Sequence, residues 1–526
     1  MPAKPPLAKP PLAVPPLAEP PLANSRLAVP PFAEPARATP LATKPPRILA
    51  LALLALLGLA LAGASTGQAR RTTTVTAALQ ALQSSGQITQ ASYLQYQRAF
   101  AAAKRSLGNL SGTRREQLGA VLGNVEAIAA SGQLAVSRLP VVFTTVQRNR
   151  EFWTTQALPS ADERVSFTGS RLVWEYYPGQ GVEIQWLGTF GEANGYFLSN
   201  QDMALQEVLD EAIALGTHRG GGIAWEYMFQ FDGGSPPWTS GLSQGTALQA
   251  LSRAWSRTHE TQYLDAAKEA LGIFRTPPPA GVLVTTPAGS HYLEYTYAPS
   301  ERILNGFIQS LVGLYEYTKL TGDPEGQRLF EAGDAEARAE TPHYDTGGWS
   351  LYDQHVESDL SYHELLAEFL EHLCQKTGTG EPLATVHAPI PGDSVYCTTA
   401  RHFREYVKEP PRLALLTQTL RTGERAGVQV QLSKVATVSL TISLAGRTVW
   451  TNAATVEGGK PRLLWVTPSR PGTYVVQLKA RDLAGNEAGA SGTIVVSRRG
   501  PAAKRSAVRL ARGFRPQPNL DPHRLP

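Results

Sequence analysis

The sequence is poor in cysteine and in charged residues. It has two cysteines in 526 residues, which excludes a small disulfide-rich scaffold and a zinc site built from Cys-x-x-Cys pairs. Charged residues make up 18% of the chain, below the quarter that is usual in globular proteins. The formal net charge is +5, and Arg498–Pro526 holds eight Lys or Arg and one Asp, a net +7, so the rest sums to −2. This near-neutral remainder argues against a nucleic-acid-binding protein.

The sequence also lacks the patterns of common metal and phosphate sites. Its ten histidines include no His-x-x-x-His pair, and no Asp-rich calcium loop is present. The glycine run Gly220-Gly221-Gly222 is not followed by the Lys-Ser/Thr of a phosphate-binding loop. We therefore expect no metal site and no cofactor.

Proline and glycine are abundant instead, with 40 and 47 residues. Residues 4–38 run in a period of five, beginning Lys4-Pro-Pro-Leu-Ala and Lys9-Pro-Pro-Leu-Ala. Paired prolines fix φ, remove backbone donors and favour polyproline II. We interpret residues 1–43 as a low-complexity leader, and the basic residues 498–526 as a disordered tail.

A basic and then apolar segment follows the leader. Lys44 and Arg47 precede an apolar run at Ile48–Ala62. This is the pattern of a secretory signal, and the run is shorter than the roughly 20 residues of a membrane span. We interpret 44–67 as a signal segment and expect a secreted or cell-envelope protein. The alternative is a membrane anchor formed by residues 48–64.

The two cysteines, Cys374 and Cys397, lie 23 residues apart. Export would bring them to an oxidising compartment, where they could form one disulfide. Two unpaired thiols are the alternative, and the sequence leaves both open.

Two helical regions follow the signal segment. In residues 70–200, apolar periodicity predicts helices from Thr74 to about Ser137, as in Tyr93–Leu107 and Glu116–Ala130. Alternating runs on either side of Pro178-Gly179-Gln180-Gly181 predict a β-hairpin. In residues 201–409, amphipathic helices come in pairs separated by loops rich in glycine, proline and aromatic residues. This pattern favours an (α/α) toroid or barrel with its loops gathered at one end. The helices predicted there are Met203–Leu215, Ser243–Thr258, Thr261–Phe274, Ile303–Thr321, Pro324–Arg338 and Tyr362–Gln375.

The hydrophobic period changes to two after Pro410-Pro411. Alternating strands and regular turns over residues 411–497 predict an all-β immunoglobulin-like or fibronectin-III-like sandwich, and Tyr474 has the position of a tyrosine corner. No acid/base constellation stands out in this module. We therefore expect it to fold alone and to be dispensable for chemistry.

Aromatic and acidic residues concentrate in loops of residues 201–409. A single buried tyrosine is usually an ordinary core residue that packs its ring and bonds its hydroxyl. Several loops with Tyr beside Glu, Asp or His favour a functional site instead. These segments are His291-Tyr-Leu-Glu-Tyr-Thr-Tyr297, Tyr344-Asp-Thr-Gly-Gly-Trp-Ser-Leu-Tyr-Asp353 and Tyr362-His363.

At these segments the chain resembles the C-terminal domain of the D-glucuronyl C5-epimerases, which convert glucuronate to iduronate within heparan-type polysaccharides. It looks like a bacterial-type secreted member with an added immunoglobulin-like domain. The resemblance covers about residues 236–375. Its motifs are, in order, Trp238-Thr-Ser-Gly-Leu-Ser-Gln-Gly245, Tyr292-Leu-Glu-Tyr295, Pro299-Ser300, Leu304-Asn-Gly-Phe307, Tyr344-Asp-Thr-Gly347, Ser350-Leu-Tyr-Asp353 and Tyr362-His363.

The implied reaction asks for particular groups. Epimerisation at C5 of a uronate removes a proton next to a carboxylate and returns one to the opposite face, so it needs two acid/base groups and donors for the enediolate. By resemblance, Glu294 and Tyr295 form one side of the site and Tyr362 the other, with Tyr352 between them as proton relay or enediolate donor. Whether Glu294 or Tyr362 is the forward base stays open. The implied substrate-binding residues are Trp238, Gln244, Arg302, Asn305, His355 and His363.

One position departs from the family pattern, which has an arginine two residues after the Tyr-Asp of Tyr352-Asp353. This chain reads Gln354-His355 there. Either Arg302 or Arg219 replaces that clamp for the uronate carboxylate, or the substrate differs. The near-neutral chain favours an unsulfated glucuronate polysaccharide as the partner.

Two other functions remain open at this point. A polysaccharide lyase on the same scaffold would also abstract the proton at C5 and would differ only in the fate of the C4–O bond. A glycan-binding protein of the cell envelope could keep the aromatic residues without catalysing a reaction.

Overall fold

The computed structural model describes residues 73–378, 394–423 and 425–498. The predicted leader, the signal segment and residues 499–526 of the predicted tail lie outside these ranges. Within them, no helix is both long enough and apolar enough to cross a membrane. The described chain is mainly helical up to residue 406 and all-β after residue 412, as the sequence predicts.

The N-terminal region consists of helices and one small antiparallel sheet. The predicted helices and the hairpin turn at 178–181 are confirmed, since Tyr177 pairs with Gly181 in the sheet. The elements are α1 (Val75–Ser84), α2 (Gln90–Asn109), α3 (Gly112–Ala130), α4 (Leu139–Thr155), β1 (Arg164–Val165), β2 (Trp174–Tyr177), β3 (Gly181–Ile184) and α5 (Trp186–Leu198).

Two of these helices were not predicted. In α4 the helix begins just before Pro140, which is tolerated in the first turn because its missing N–H has no partner there. In α5 three glycines weaken the helical signal by about 1 kcal/mol each relative to alanine. The helix nevertheless forms because Gln185 caps it, accepting a hydrogen bond from the Gly188 N–H at 2.9 Å, and because its inner face is buried.

Paired helices dominate the next region, and every predicted helix there is confirmed to within a few residues. The helices are α6 (Asp202–Ala214), α7 (Gly241–Thr258), α8 (Thr261–Arg275), α9 (Leu304–Thr321), α10 (Pro324–Glu340), α11 (Leu360–Gly378) and α12 (Val395–Tyr406). Short strands lie in the connections: β4 (Thr217–Arg219), β5 (Gly222–Ala224), β6 (Glu226–Tyr227), β7 (Trp238–Thr239), β8 (Leu283–Thr285) and β9 (Ser290–Tyr292).

Alternate helices of this region form an inner row. Helices α5, α7, α9 and α11 pack side by side in chain order, and each also packs against the helix that follows it. Helices α7 and α9 approach very closely, because a Cβ atom on Gly313 would lie 2.0 Å from the Gly245 carbonyl oxygen. The glycine of the Ser-Gln-Gly motif is therefore a packing residue. The helix pairs match the predicted architecture, whereas a closed toroid stays a prediction.

A buried ion cluster joins the N-terminal helices to the paired helices. The Glu226 carboxylate on β6 accepts hydrogen bonds from Arg138 at 2.6 and 3.0 Å and from Arg219. The Trp186 indole donates to the Glu226 carbonyl at 2.9 Å. Arg219 is therefore committed to an internal ion pair, and we no longer regard it as a clamp for a substrate carboxylate.

The two cysteines form a disulfide. Cys374 on α11 is bonded to Cys397 on α12, and their Cα atoms lie 4.9 Å apart. This finding decides between the two alternatives that the sequence left open. The bond fixes the start of α12 against the end of α11.

The C-terminal region contains two sheets that share one core. A three-stranded sheet has the order β10-β12-β15 and a five-stranded sheet the order β11-β17-β16-β13-β14. Side chains of both sheets meet in a single apolar cluster. The strands are β10 (Leu413–Leu415), β11 (Thr419–Arg421), β12 (Arg425–Leu432), β13 (Ala436–Leu444), β14 (Arg447–Val456), β15 (Arg462–Val466), β16 (Gly472–Asp482) and β17 (Glu487–Ser497).

The predicted tyrosine corner is present in this β-domain. Tyr474 is fully buried, and its hydroxyl donates to the Arg470 carbonyl at 2.7 Å. Period-two burial is regular along β16, where every second residue from Tyr474 to Asp482 is buried.

Removing the disulfide should lower stability. Closing a loop of 23 residues restricts the unfolded chain, so we expect the double variant Cys374→Ser/Cys397→Ser to lose roughly 3 kcal/mol. Denaturant unfolding without reductant measures the loss, and the wild type in reductant should behave like the variant. Equal midpoints for variant and oxidised wild type would contradict the expectation.

Candidate active site

The side chain of Glu294 is buried at the N-terminal ends of two inner helices. Residues 293–296 run alongside residues 239–241, and the Gly241 N–H donates to the carbonyls of Leu293 and Glu294 at 3.0 and 3.2 Å. The Glu294 side chain is only 2% exposed. Its Oε1 accepts a hydrogen bond from the Ser240 hydroxyl at 3.0 Å, and Ser240 in turn caps α7 by accepting from the Ser243 N–H.

The second carboxyl oxygen of Glu294 has no hydrogen-bond partner. Oε2 is fully buried and lies against the first turn of α9, where a Cβ atom on Gly306 would be 1.8 Å away. The glycine of Leu304-Asn-Gly-Phe is therefore required by the position of the carboxyl group. An unpaired buried oxygen is costly, and a catalytic role is one of the explanations for such an atom.

The environment of Glu294 favours its neutral form. Burial raises the pKa of Glu294 to about 8, and the hydrogen bond from Ser240 opposes only part of this effect. A carboxyl group with a pKa near neutrality can both accept and return a proton at working pH.

Three tyrosines adjoin Glu294 in a row. Tyr295 follows it in the chain, and Tyr295 and Tyr352 are close enough to shift each other's pKa. The Tyr352 ring lies 4.9 Å from the ring of Tyr362, which is in the first turn of α11. The structure therefore brings together all four residues that the sequence predicts to be catalytic.

The tyrosine hydroxyls all keep their protons at neutral pH. Burial raises the pKa values of Tyr295, Tyr352 and Tyr362, and the negative charge of Glu294 raises them further. These hydroxyls can therefore donate hydrogen bonds or protons. A phenolate would need stabilisation from a bound substrate or a change in the site.

Trp238 forms the wall behind Tyr295. Its indole ring stacks on Tyr227 at 4.2 Å and meets Tyr295 and Tyr297 edge to face at 5.6 and 5.4 Å. Its N–H donates to the Phe229 carbonyl at 2.8 Å, and the residue is 1% exposed. Trp238 lies in the predicted site, where it holds Tyr295.

Asn305 lies in the first turn of α9, next to the Gly306 that contacts the Glu294 carboxyl group, and Arg302 lies just before this helix. Asn305 precedes Gly306, whose N–H donates to the Asn305 side-chain oxygen at 2.9 Å. The Arg302 guanidinium donates to the carbonyls of Pro299 and Glu301 at 2.7 and 3.3 Å. No carboxylate in the described ranges lies within ion-pair distance of Arg302, and its charge acts on Glu340 and His291 and not on Glu294.

Two predicted substrate-binding residues point into the protein instead. His363 accepts from the Ser350 N–H through Nδ1 at 3.2 Å, and its Nε2 therefore donates to the Phe403 carbonyl at 2.9 Å. Burial lowers the pKa of His363 to about 4. Gln244 donates to the Ile223 carbonyl at 2.7 Å on the far side of α7. Both side chains serve packing, which corrects the role that the sequence indicated.

His355 lies apart from the four catalytic candidates. Its side chain is exposed, and its N–H donates to the Asp353 carboxylate at 2.7 Å. It lines a cleft of about 420 Å³ between the loop after Tyr344 and residues 457–459 of the β-domain.

Sequence reasoning missed Ser240 and Gly306. The signal was present in both cases, because a serine before a helix is a common N-cap and a glycine inside a helix often marks close approach of another group. Among the described residues, no cluster of three or more His, Cys, Asp or Glu side chains could hold a metal ion.

Comparison with known proteins assigns this region. A family model described as D-glucuronyl C5-epimerase C-terminus matches residues 219–386, the segment that contains Glu294 and the three tyrosines. Residues 219–386 belong to this family. The match to the epimerase region confirms the resemblance seen in the sequence.

Two curated relatives match shorter stretches of the chain. The D-glucuronyl C5-epimerase of Caenorhabditis elegans is 33% identical over 135 residues, covering 23% of this chain and 22% of the worm protein. An uncharacterized protein of Methanocaldococcus jannaschii is 29% identical over 165 residues, covering 30% of this chain and 51% of that protein. The chain thus spans about a fifth to a half of the length of these relatives.

Solved structures give a more distant likeness. A sugar epimerase from a ruminal bacterium has 11% identity and a TM-score of 0.34, with 51% of this chain and 70% of that chain covered. An unsaturated glucuronyl hydrolase specific for heparin has 13% identity and a TM-score of 0.31, with 61% and 84% covered.

The buried carboxyl group of Glu294 should make stability fall as pH rises. Its pKa is 4.5 in the unfolded chain and about 8 in the folded one. Between these values only the unfolded chain ionises, so the free energy of unfolding drops by at most about 5 kcal/mol and levels off above pH 8. Urea unfolding from pH 4.5 to 9 of wild type and Glu294→Gln measures the effect as a difference. Parallel pH profiles would contradict it.

Proposed function

We propose that the protein is an isomerase that epimerises glucuronate to iduronate at C5 within a polysaccharide. The observation that carries this proposal is the Glu294 carboxyl group, buried with one oxygen unpaired beside three tyrosine hydroxyls. The family of residues 219–386 supports the same reaction class.

Glu294 is the better candidate for the forward base. Its pKa of about 8 leaves a useful fraction ionised at neutral pH, whereas burial keeps the three tyrosines protonated. In the proposed step, an ionised Glu294 takes the proton from C5, and the electron pair moves into the substrate carboxylate to give an enediolate. The Tyr295 and Tyr352 hydroxyls can donate hydrogen bonds to that charge.

A tyrosine then returns a proton to the opposite face of C5. Tyr362 suits this role because it is on α11, across from Glu294, with the Tyr352 ring between them. The transfer makes a C–H bond and leaves a phenolate. The catalytic cycle closes when Glu294 releases its proton to solvent and the Tyr362 phenolate takes one up from water.

Arg302 is the candidate for binding the substrate carboxylate, in place of the arginine that the family pattern has at position 355. A guanidinium without an ion-pair partner just before α9 would attract the uronate carboxylate. We propose an unsulfated glucuronate polymer, since the chain before the tail is near neutral.

We further propose that the protein is exported, to the cell envelope or the medium. The disulfide between Cys374 and Cys397 supports this location, because disulfides persist in oxidising compartments. The two sheets and the Tyr474 corner support an immunoglobulin-like assignment for the β-domain.

Solvent exchange tests the reaction directly. Incubation with heparosan or another glucuronan in D2O should introduce deuterium at C5 and give a C5-epimeric uronate signal by NMR. A lyase would instead give unsaturated uronate with ultraviolet absorbance and falling chain length. Binding without any exchange over a panel of glucuronate polymers would indicate a glycan-binding protein and overturn the proposal.

Conservative variants should separate catalytic from packed tyrosines. Tyr→Phe at 295, 352 or 362, and Glu294→Gln, should lower the exchange rate roughly 100- to 10,000-fold with the fold intact. Tyr315 and Tyr317 serve as controls because their hydroxyls donate to the Lys376 carbonyl and the Asp323 carboxylate, both at 2.7 Å. Their Phe variants should lose only about 0.5–1.5 kcal/mol of stability. Wild-type exchange rates in Tyr362→Phe and Glu294→Gln would show that the site lies elsewhere.

A further inference from the structure

We propose that the C-terminal β-domain positions Tyr352 and Tyr362, so that it takes part in building the active site. This inference rests on the proposed function for its catalytic consequence. It differs from the expectation that a module after Pro410-Pro411 is dispensable for chemistry.

The first observation is a buried lysine at the boundary between the two regions. Lys434 precedes β13 and is 1% exposed. Its ammonium group donates to the carbonyls of Tyr406 and Glu409, both at 2.5 Å, and to the Asp482 carboxylate at 3.0 Å. A charge this deeply buried is stable only while all three partners stay in place, so it fixes the end of α12 to the β-domain.

The same lysine contacts the layer that supports Tyr362. The Lys434 ammonium lies 5.3 Å from the centre of the Trp349 ring, within range of a cation–π interaction. His363 stacks in parallel on the same ring at 3.7 Å. His363 is the neighbour of Tyr362 in the chain, and its ring is held by Ser350 and Phe403. A line of contacts therefore runs from the β-domain to Tyr362.

The loop that carries Tyr352 also rests on the β-domain. The Glu357 carboxylate, 6% exposed, accepts from the Gly458 N–H at 2.7 Å. Arg412, at the start of the β-domain, donates to the Gly347 carbonyl at 2.8 Å. Tyr352 lies between these two anchors in the chain, and its N–H donates to the Val356 carbonyl at 2.8 Å.

Close backbone contact confirms that this interface is tightly packed. A Cβ atom on Gly348 would lie 2.3 Å from the Ser433 carbonyl oxygen. An added methyl group must therefore separate the loop from the β-domain, because a main-chain oxygen cannot rotate away. Displacements of about 1 Å in catalytic groups can cost roughly 100-fold in rate.

Matched variants of the full chain test the inference. Lys434→Met removes the buried ammonium, and Lys479→Met is its control on the exposed face of β16. Gly348→Ala adds a methyl group between the loop and the β-domain. Gly489→Ala is its control on β17, where the nearest atom to an added Cβ is 3.7 Å away. Two measurements are made at a temperature where all variants are folded: kcat and KM for C5 exchange, and amide hydrogen exchange of residues 349–363.

We expect Lys434→Met and Gly348→Ala to lower kcat about 10- to 100-fold with KM changed less than about twofold. Amides of 349–363 should exchange at least about tenfold faster, because the bonds of Leu351, Tyr352 and Ser358 lose their support. The two controls should match the wild type. A uniform loss of stability would instead speed exchange throughout the chain.

Three results would overturn the inference. One is wild-type kcat and wild-type amide exchange in folded Lys434→Met, or in Gly348→Ala if the lysine variant does not fold. Another is a raised KM with unchanged kcat, which would indicate a glycan-binding role for the β-domain. The third applies if the wild type itself shows no C5 exchange. Amides of 349–363 that exchange as slowly in the variants as in the wild type would then overturn the inference. If only C5 exchange is absent, the proposed function fails, and the amide data alone decide the inference.

Discussion

The buried carboxyl group of Glu294 is the constraint on which the rest of the site depends. One of its oxygens is bound by Ser240 and the other is left without a partner. Keeping a carboxyl group in this state requires the N-terminal ends of helices α7 and α9 to lie next to each other at Glu294. Ser240 caps α7, and Gly306 lies in the first turn of α9. The tyrosines share this low-dielectric environment, and burial together with the charge of an ionised Glu294 raises their own pKa values.

Much of the fold could be predicted from the sequence because the relevant signals are local. The spacing of apolar residues alone predicts amphipathic helices such as α8 and α10. Alternation of apolar and polar residues likewise predicts the strands β13 and β16. Helix α5 could not be found in this way. Its glycines weaken the helical pattern, and the aromatic residues before it indicate that the preceding β-strand continues. Its stability comes from burial against α7, which no local pattern reports.

The site was predictable in part for a different reason. Glu294 and the tyrosines were found from motifs, and the structure brings them together. Motifs do not reveal which way a side chain points. His363 and Gln244 share segments with catalytic candidates, yet their hydrogen-bonding groups are used by Phe403, Ser350 and Ile223. A polar residue that completes the core and one that binds a ligand look alike in sequence, because both are buried and both need partners.

The contact between Gly245 and Gly313 has a consequence for how this chain can change over evolution. In most cores a larger residue at one position can be offset by a smaller one at its neighbour. Here the obstructing atom at Gly313 is the main-chain oxygen of residue 245, which every amino acid possesses. No second substitution can compensate, so sequence drift at Gly313 would have to move α7 and α9 apart, and with them Ser240 and Gly306. Substitutions of Gly313 are therefore not neutral, even though this residue is remote from any reacting atom.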